Sequence, residues 1–271
     1  MRRSALSGAI GIPGVGRFGI SVARASAGGG GGGGFAPTDI AGCEAWFDAT
    51  DGDTITGTAS LVDAWADKSD AANDVAASGA QRPSQVTINS LNAIRFDAAE
   101  QLKLTSASVT GLDGADMSIF VVANKQFDEA DSWPGAVNRS NTGWSTGWRM
   151  ASGSAGGADM AFSAASYTGD KVQLTTTATG ADAFHIWHAS HTNTGPAMKG
   201  YLNNAEVATD TSGDPTGASA NEFSIGTADS ATTYAFFGSI GEIIIYNSVL
   251  STENRLAVAE YLAAKWGITL P

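Results

Sequence analysis

From Ala45 onward, apolar and polar positions fall into short blocks separated by turn residues, the pattern of an all-β domain. Ala45 to Asp48 is the first strand-like block, followed by an Asp-Gly turn at Asp51-Gly52. Leu61 to Trp65 alternates apolar and polar, and Ala93 to Asp97 and Leu102 to Leu104 follow. Met117 to Ala123 is a continuous apolar run, which predicts a strand buried on both faces. Gly147 to Ala151, Met160 to Ser163 and Lys171 to Thr176 read as further strands. Ala183 to His191 and Met198 to Leu202 read as a pair closed around Asn193-Thr194-Gly195-Pro196, with another turn at Asn203-Asn204. Phe223 to Gly226 and Ile240 to Tyr246 end the series.

A single strong helix is predicted near the C-terminus. Ser251 suits its N-cap and Gly267 the residue just past its end. Between them Leu256, Ala259, Leu262, Ala263 and Trp266 fall on one face at helical spacing, so this stripe is expected to pack on the strands. Hydrophobic residues are 43% of the chain, enough for one large core, while charged residues are only 15%. Trp46, Trp65, Trp187 and Trp266 sit in strand or helix patterns and are expected in the core.

Charge divides the chain. Arg2, Arg3, Arg17 and Arg24 precede the first acidic residue, Asp39, so the N-terminal arm is basic although the whole chain is at -12. The acidic remainder repels phosphate, which argues against a nucleic-acid partner. Residues 1 to 27 read as an extended anchoring arm and the unbroken glycines Gly28 to Gly34 as a flexible linker. Arg2-Arg3 and Ala25-Ser26-Ala27 match the ends of a signal peptide, but Gly8, Gly11, Pro13, Gly14 and Gly16 break the stretch between them. The arm is therefore expected to be retained. No apolar run of 18 residues is present, so no membrane insertion is expected. Cys43 is the only cysteine, which excludes an internal disulfide and a cysteine-based zinc site.

Several segments resemble the concanavalin A-like or laminin-G-like jelly-roll domains of bacterial and bacteriophage proteins. Ile40 to Thr56 looks like the opening Trp-x-Asp strand and turn, and Val62 to Asp70 like the aromatic followed by an Asp-Lys-Ser turn. Asn92 to Ala98 matches the Arg-Phe-Asp strand, and Met117 to Ala123 the central strand. Gly200 to Ala208 resembles the Tyr-x-Asn-Gly hairpin, with Ala205 where glycine is commoner. Ile240 to Ile268 resembles the closing strand and helix, the most specific of these matches. The resemblance covers nearly all of residues 35 to 271. It implies a mainly β fold: a two-sheet antiparallel jelly-roll sandwich with one C-terminal helix. A glycine tether before such a domain is similar in layout to structural proteins of tailed-phage particles, where trimers are common.

Candidate chemistry is sparse. Glucanases of this fold carry Glu-x-Asp-x-x-Glu; the nearest string here runs from Glu129 to Pro134, lacks the last glutamate and ends on a strand-breaking proline. No hydrolase activity is expected. His185, His188 and His191 lie in one strand, where His188 points opposite to the other two, and His185 and His191 are roughly 20 Å apart. They are read as ordinary strand residues. Asp48, Asp51 and Asp53 offer three hard oxygen ligands for calcium, or form an Asx-rich turn that satisfies its own backbone. No other cofactor is implied. Trp133, Trp144 and Trp148 are interleaved with Asn138, Arg139 and Asn141, a set able to stack on sugar rings and bond their hydroxyls. The competing reading is that these indoles pack in the core or between subunits.

The resulting expectation is a non-enzymatic bacteriophage virion protein of decoration, spike or fibre type. Its arm would anchor to other virion proteins through Arg2, Arg3, Arg17 and Arg24, and its sandwich would face outward as a homo-oligomer that touches host glycans. The alternative is a secreted bacterial carbohydrate-binding module, and a weaker one a glycoside hydrolase.

Overall fold

A computed structural model describes residues 34–271 apart from 98–99, 105, 115, 126–134, 142–144, 153–159, 165–170, 175–182, 194–196, 212–219 and 228–233. Phe35–Pro271 forms one compact unit. Arg2, Arg3, Arg17, Arg24, Glu129, Trp133 and Trp144 lie outside the described residues.

The elements in order are β1 (Cys43–Asp48), β2 (Ile55–Thr58), β3 (Leu61–Trp65), β4 (Val75–Ala76), β5 (Ser84–Ile88), β6 (Leu91–Phe96), β7 (Leu102–Leu104), β8 (Met117–Lys125) and β9 (Gly135–Ser140). They continue with β10 (Gly147–Ser152), β11 (Met160–Ala164), β12 (Lys171–Leu174), β13 (His185–Thr192), β14 (Ala197–Leu202), β15 (Ala205–Asp210), β16 (Phe223–Ile225), β17 (Gly238–Tyr246) and the helix α1 (Thr252–Trp266).

The strands make two antiparallel runs. In the first, β17 pairs β8 along one side and β6 then β1 along the other, and the run continues β8–β13–β14–β15. The second runs β4–β7–β16–β9–β10–β11–β12, with β2–β3 attached at β4. Inward residues of both runs share one core: Phe47, Ile119, Val121, Trp187 and Ile243 from the first, Trp148, Met150, Phe162, Phe223 and Ile225 from the second. This is the expected sandwich.

Both faces of the first sheet are covered. Along β8, Ile119, Val121 and Ala123 join the central core, while Phe120 and Val122 join a second cluster with Val258, Leu262 and Trp266 of α1. That explains why Met117 to Ala123 is continuously apolar rather than alternating. Ser251 caps α1 by accepting from the Asn254 N–H at 3.1 Å, and Gly267 ends it at φ 66°. One residue of the predicted stripe is corrected: Leu256 is 39% exposed and Val258 takes a place in the buried face instead. Trp46 is half-buried rather than core, because its indole edge reaches a polar partner described below.

The loop after β3 is tied down by polar side chains. The Asp67 carboxylate accepts from the backbone N–H groups of Trp46, Ser69 and Asn73. Asn73 in turn donates to the Glu44 and Thr110 carbonyls and accepts from the Thr110 N–H. Two-residue hairpin turns at Asn89-Ser90 and Asn203-Asn204 place both residues at positive φ, as a type I′ turn requires. Ala59-Ser60, joining β2 to β3, does the same at φ 52° and 69° with residues poorly suited to it. Replacing them with the favoured pair, Ala59→Asn with Ser60→Gly, is expected to raise stability by about 1 kcal/mol, read from the denaturant midpoint. An unchanged or lower midpoint would count against strain at this turn.

Candidate functional site

Two of the three aspartates of the first turn, Asp48 and Asp51, meet cations of the protein itself. Lys265 of α1 lies 2.6 Å from Asp48 Oδ1, and Lys68 lies 3.3 Å from Asp48 Oδ2 and 2.6 Å from Asp51 Oδ2. Asp51 also accepts from the Asp53 N–H, and Asp48 from the Thr50 N–H and hydroxyl. Burial would raise the Asp48 carboxyl, but the Lys265 and Thr50 hydrogen bonds and the two lysine charges hold it below its ordinary 3.8. The calcium expectation for Asp48, Asp51 and Asp53 is therefore corrected: two ammonium groups occupy the cation's role, and no metal-ligand group of three occurs among the described residues.

Lys265 links this turn to a deeper group. Glu242 of β17 is fully buried. Its Oε1 accepts from Trp46 Nε1 and the Tyr261 hydroxyl, both at 2.8 Å, and its Oε2 accepts from Trp266 Nε1 at 2.9 Å and sits 2.9 Å from Lys265 Nζ. Burial, then the Glu242 charge, pushes the Tyr261 hydroxyl up, so it remains a donor. Every oxygen of this carboxylate is satisfied, which marks the cluster as structural. Cys43 is equally quiet: burial pushes its thiol up to about 12.

The tryptophan-rich region folds into the β9–β10 hairpin and separates into three environments. Trp148 is fully buried, donates to the Leu112 carbonyl at 2.9 Å and packs on Phe162 and Phe223. It is a core residue and is withdrawn as a sugar-stacking candidate, because strand alternation points it inward with Met150. Arg139 is buried too, paired at 2.9 Å with Asp113, whose side chain is 63% exposed. Asn141 closes the hairpin by accepting from the Ser145 N–H at 2.8 Å and donating to the Ser145 hydroxyl.

Asn138 points away from the core and belongs to a row that crosses the second sheet. Register places Lys103 opposite Ser224, Ser224 opposite Asn138, Asn138 opposite Arg149, Arg149 opposite Ser163 and Ser163 opposite Lys171. The Asn138 amide donates to the Ser224 hydroxyl at 3.2 Å, which confirms that neighbours in this row face the same side. Ser224, Asn138, Arg149 and Ser163 are no more than 3% exposed, and Lys103 is the open end, 27% exposed beside Glu222. Ala151 and Ala161 flank the row with small side chains.

The histidines are split as expected. Trp187 and Ala189 face the central core, while His188 faces the α1 side between Phe120 and Tyr201. His185 Nδ1 meets the Asn203 amide at 3.2 Å.

No protein family and no curated protein matches the sequence. Solved structures do match in fold. The receptor-binding domain of botulinum neurotoxin type G aligns at TM-score 0.56 and 8% identity, over 81% of this chain and 51% of that one. The binding domain of Paraclostridial Mosquitocidal Protein 1 aligns at 0.56 and 9%, over 83% and 53%. The botulinum neurotoxin serotype D/C VPI 5993 binding domain aligns at 0.50 and 10%, over 84% and 53%. This chain thus spans about half the length of each, and at such identities the likeness is one of fold.

Because Lys265 serves both Glu242 and Asp48, Lys265→Met is expected to destabilise the domain by about 3–5 kcal/mol in chemical denaturation. Asp48 supplies stability that is full above its unfolded value near 3.8 and is lost as pH falls below it. Added calcium or chelator is expected to leave the melting temperature unchanged. A calcium-dependent rise would restore a metal site.

Proposed function

We propose that this is a non-enzymatic binding domain whose ligand is a surface glycan, held on the outside of a tailed-bacteriophage particle by the arm of residues 1–34. The observation that carries the binding reading is the polar row of the second sheet, which a ligand would meet at its open end, Lys103. A sheet face turned from the core ordinarily meets water, and closing polar groups and an arginine away from it is a stability cost. Here the row holds Asn138, Arg149, Ser163 and Ser224 side by side. Paired amides, hydroxyls and a guanidinium are the donors and acceptors that sugar hydroxyls require. Three solved structures of like fold are receptor-binding or binding domains, which agrees with this reading without extending it to a particular ligand.

Display on a particle rests on the basic arm and its glycine tether ahead of an acidic body. A secreted carbohydrate-binding module would use the same sheet face and differs only in how it is carried. Trp133, Asn141 and Trp144 remain candidates for the rim of the site.

On a glycan array the full chain is expected to bind a restricted set of saccharides, and Lys103→Glu to weaken that binding about tenfold with an unchanged melting temperature. A wild-type chain that binds no glycan would remove the ligand half of the proposal. The carrier half is tested by mass spectrometry of purified particles, which should contain the chain. Replacing Arg2, Arg3, Arg17 and Arg24 with alanine should release it.

A further inference from the structure

We propose that His188 and the rings stacked on it form an acid-sensitive latch, which fastens the start of α1 and the β14–β15 hairpin to the first sheet and loosens as pH falls below neutrality. The stack has four layers from four elements. The Phe120 ring of β8 lies 4.0 Å from the His188 ring of β13 at an interplanar angle of 7°. Tyr201 of β14 covers the other face of His188 at 4.7 Å and 19°. The Arg255 guanidinium of α1 then sits 4.4 Å from the Tyr201 ring centroid. Arg255 also donates to the carbonyl and side-chain oxygens of Asn204, in the turn between β14 and β15. The His188 ring thus lies between neighbouring strands of the sheet, and α1 reaches the same stack through Arg255.

That imidazole has no means of carrying a charge. It is 2% exposed, and among the described residues neither ring nitrogen has a hydrogen-bond partner. The charged and titratable groups around it offer no relief. Phe120 contributes none from β8, and α1 contributes the cation Arg255. The hairpin contributes Tyr201 and, beyond it, the Lys199–Glu206 pair, whose charges offset one another. Burial first, and Arg255 second, keep His188 well below its ordinary 6.5.

The sign follows from which state binds the proton. Above about pH 6.5 neither folded nor unfolded His188 is protonated, and the latch has its full stability. Below it the released chain binds a proton that the closed stack refuses, so the opening constant rises about tenfold per pH unit until the folded value is reached. Opening parts β14 from β13 along their ladder, which separates Tyr201 and Arg255 from His188 and frees the hairpin and helix start before the central core. The Asp48–Lys265 pairing acts only below 3.8 and leaves this window clear. His185, also lowered by burial, faces the opposite side of β13 and is removed as a contributor by His185→Gln.

Amide hydrogen exchange of the full chain at pH 7.5, 6.5 and 5.5, corrected for intrinsic rates, tests the latch in the His185→Gln background. Protection over residues 252–266 and 197–210 is expected to fall about fivefold between pH 6.5 and 5.5. With His188→Phe added, which keeps a stacked ring without a titrating group, protection should stay level. Equal pH dependence with and without His188→Phe overturns the proposal. Should that variant fail to fold, the wild-type imidazole resonances decide it. A His188 signal that titrates near 6.5 in the folded protein overturns the latch, and one that stays neutral down to pH 5.5 supports it.

Discussion

A carboxylate with no exposure to water holds the closing elements of this fold in place. Glu242 lies on the strand that pairs with β1, β6 and β8, and its two oxygens receive donors from β1 and from one face of α1. A charge so placed is tolerable only while all four donors are present, since a single missing partner leaves a desolvated ion. The helix therefore cannot slide or rotate on the sheet as an apolar helix could. The backbone agrees: a Cβ at the neighbouring Gly241 would come within 2.3 Å of the Trp266 ring, so only glycine lets the indole lie close enough to reach Glu242. Hydrophobic burial brings α1 to the sheet, and Glu242 selects its register.

Much of this architecture was legible because it depends on local signals. The caps of α1, the doubly buried strand β8 and the turn at Asn203-Asn204 each follow from residues within a few positions of one another. Strands β2, β4, β5 and β9 escaped: β4 has two residues, and β9 (Gly-Ala-Val-Asn-Arg-Ser) shows no apolar alternation because polar and apolar members are buried alike. The site was harder to read, for a physical reason. Lysines distant in sequence decide whether Asp48 and Asp51 bind a metal, and register across six strands decides which polar residues stand together. For Trp148 the core reading holds over the sugar-stacking one. Its glycine- and serine-rich setting suggested exposure, yet its alternation with Met150 against Arg149 carried the correct answer.

The segments that resemble known jelly rolls turn out to serve the fold. Asp67 and Asn73 knot the loop after β3 onto β1, and Lys68 lies over the Trp46 ring while neutralising two aspartates. Such residues identify an architecture and leave its ligand open, because their polar atoms are already spent on the backbone. The polar row from Lys103 to Ser163 is built differently, from side chains of neighbouring strands that meet one another across the second sheet.

The helix also makes the sandwich directional. Phe120, Val122, Ile244 and Tyr246 are already covered on their outer side, so the centre of the first sheet offers no free face to a ligand. A partner approaching from that side meets the solvent layer of α1, with Thr252, Glu253, Leu256 and Glu260, and touches no strand of the sheet centre. Loops and side chains of the second sheet can therefore be exchanged without disturbing the Glu242 cluster. The fold thus separates into a back whose register the Glu242 cluster fixes and a second sheet that takes no part in that cluster.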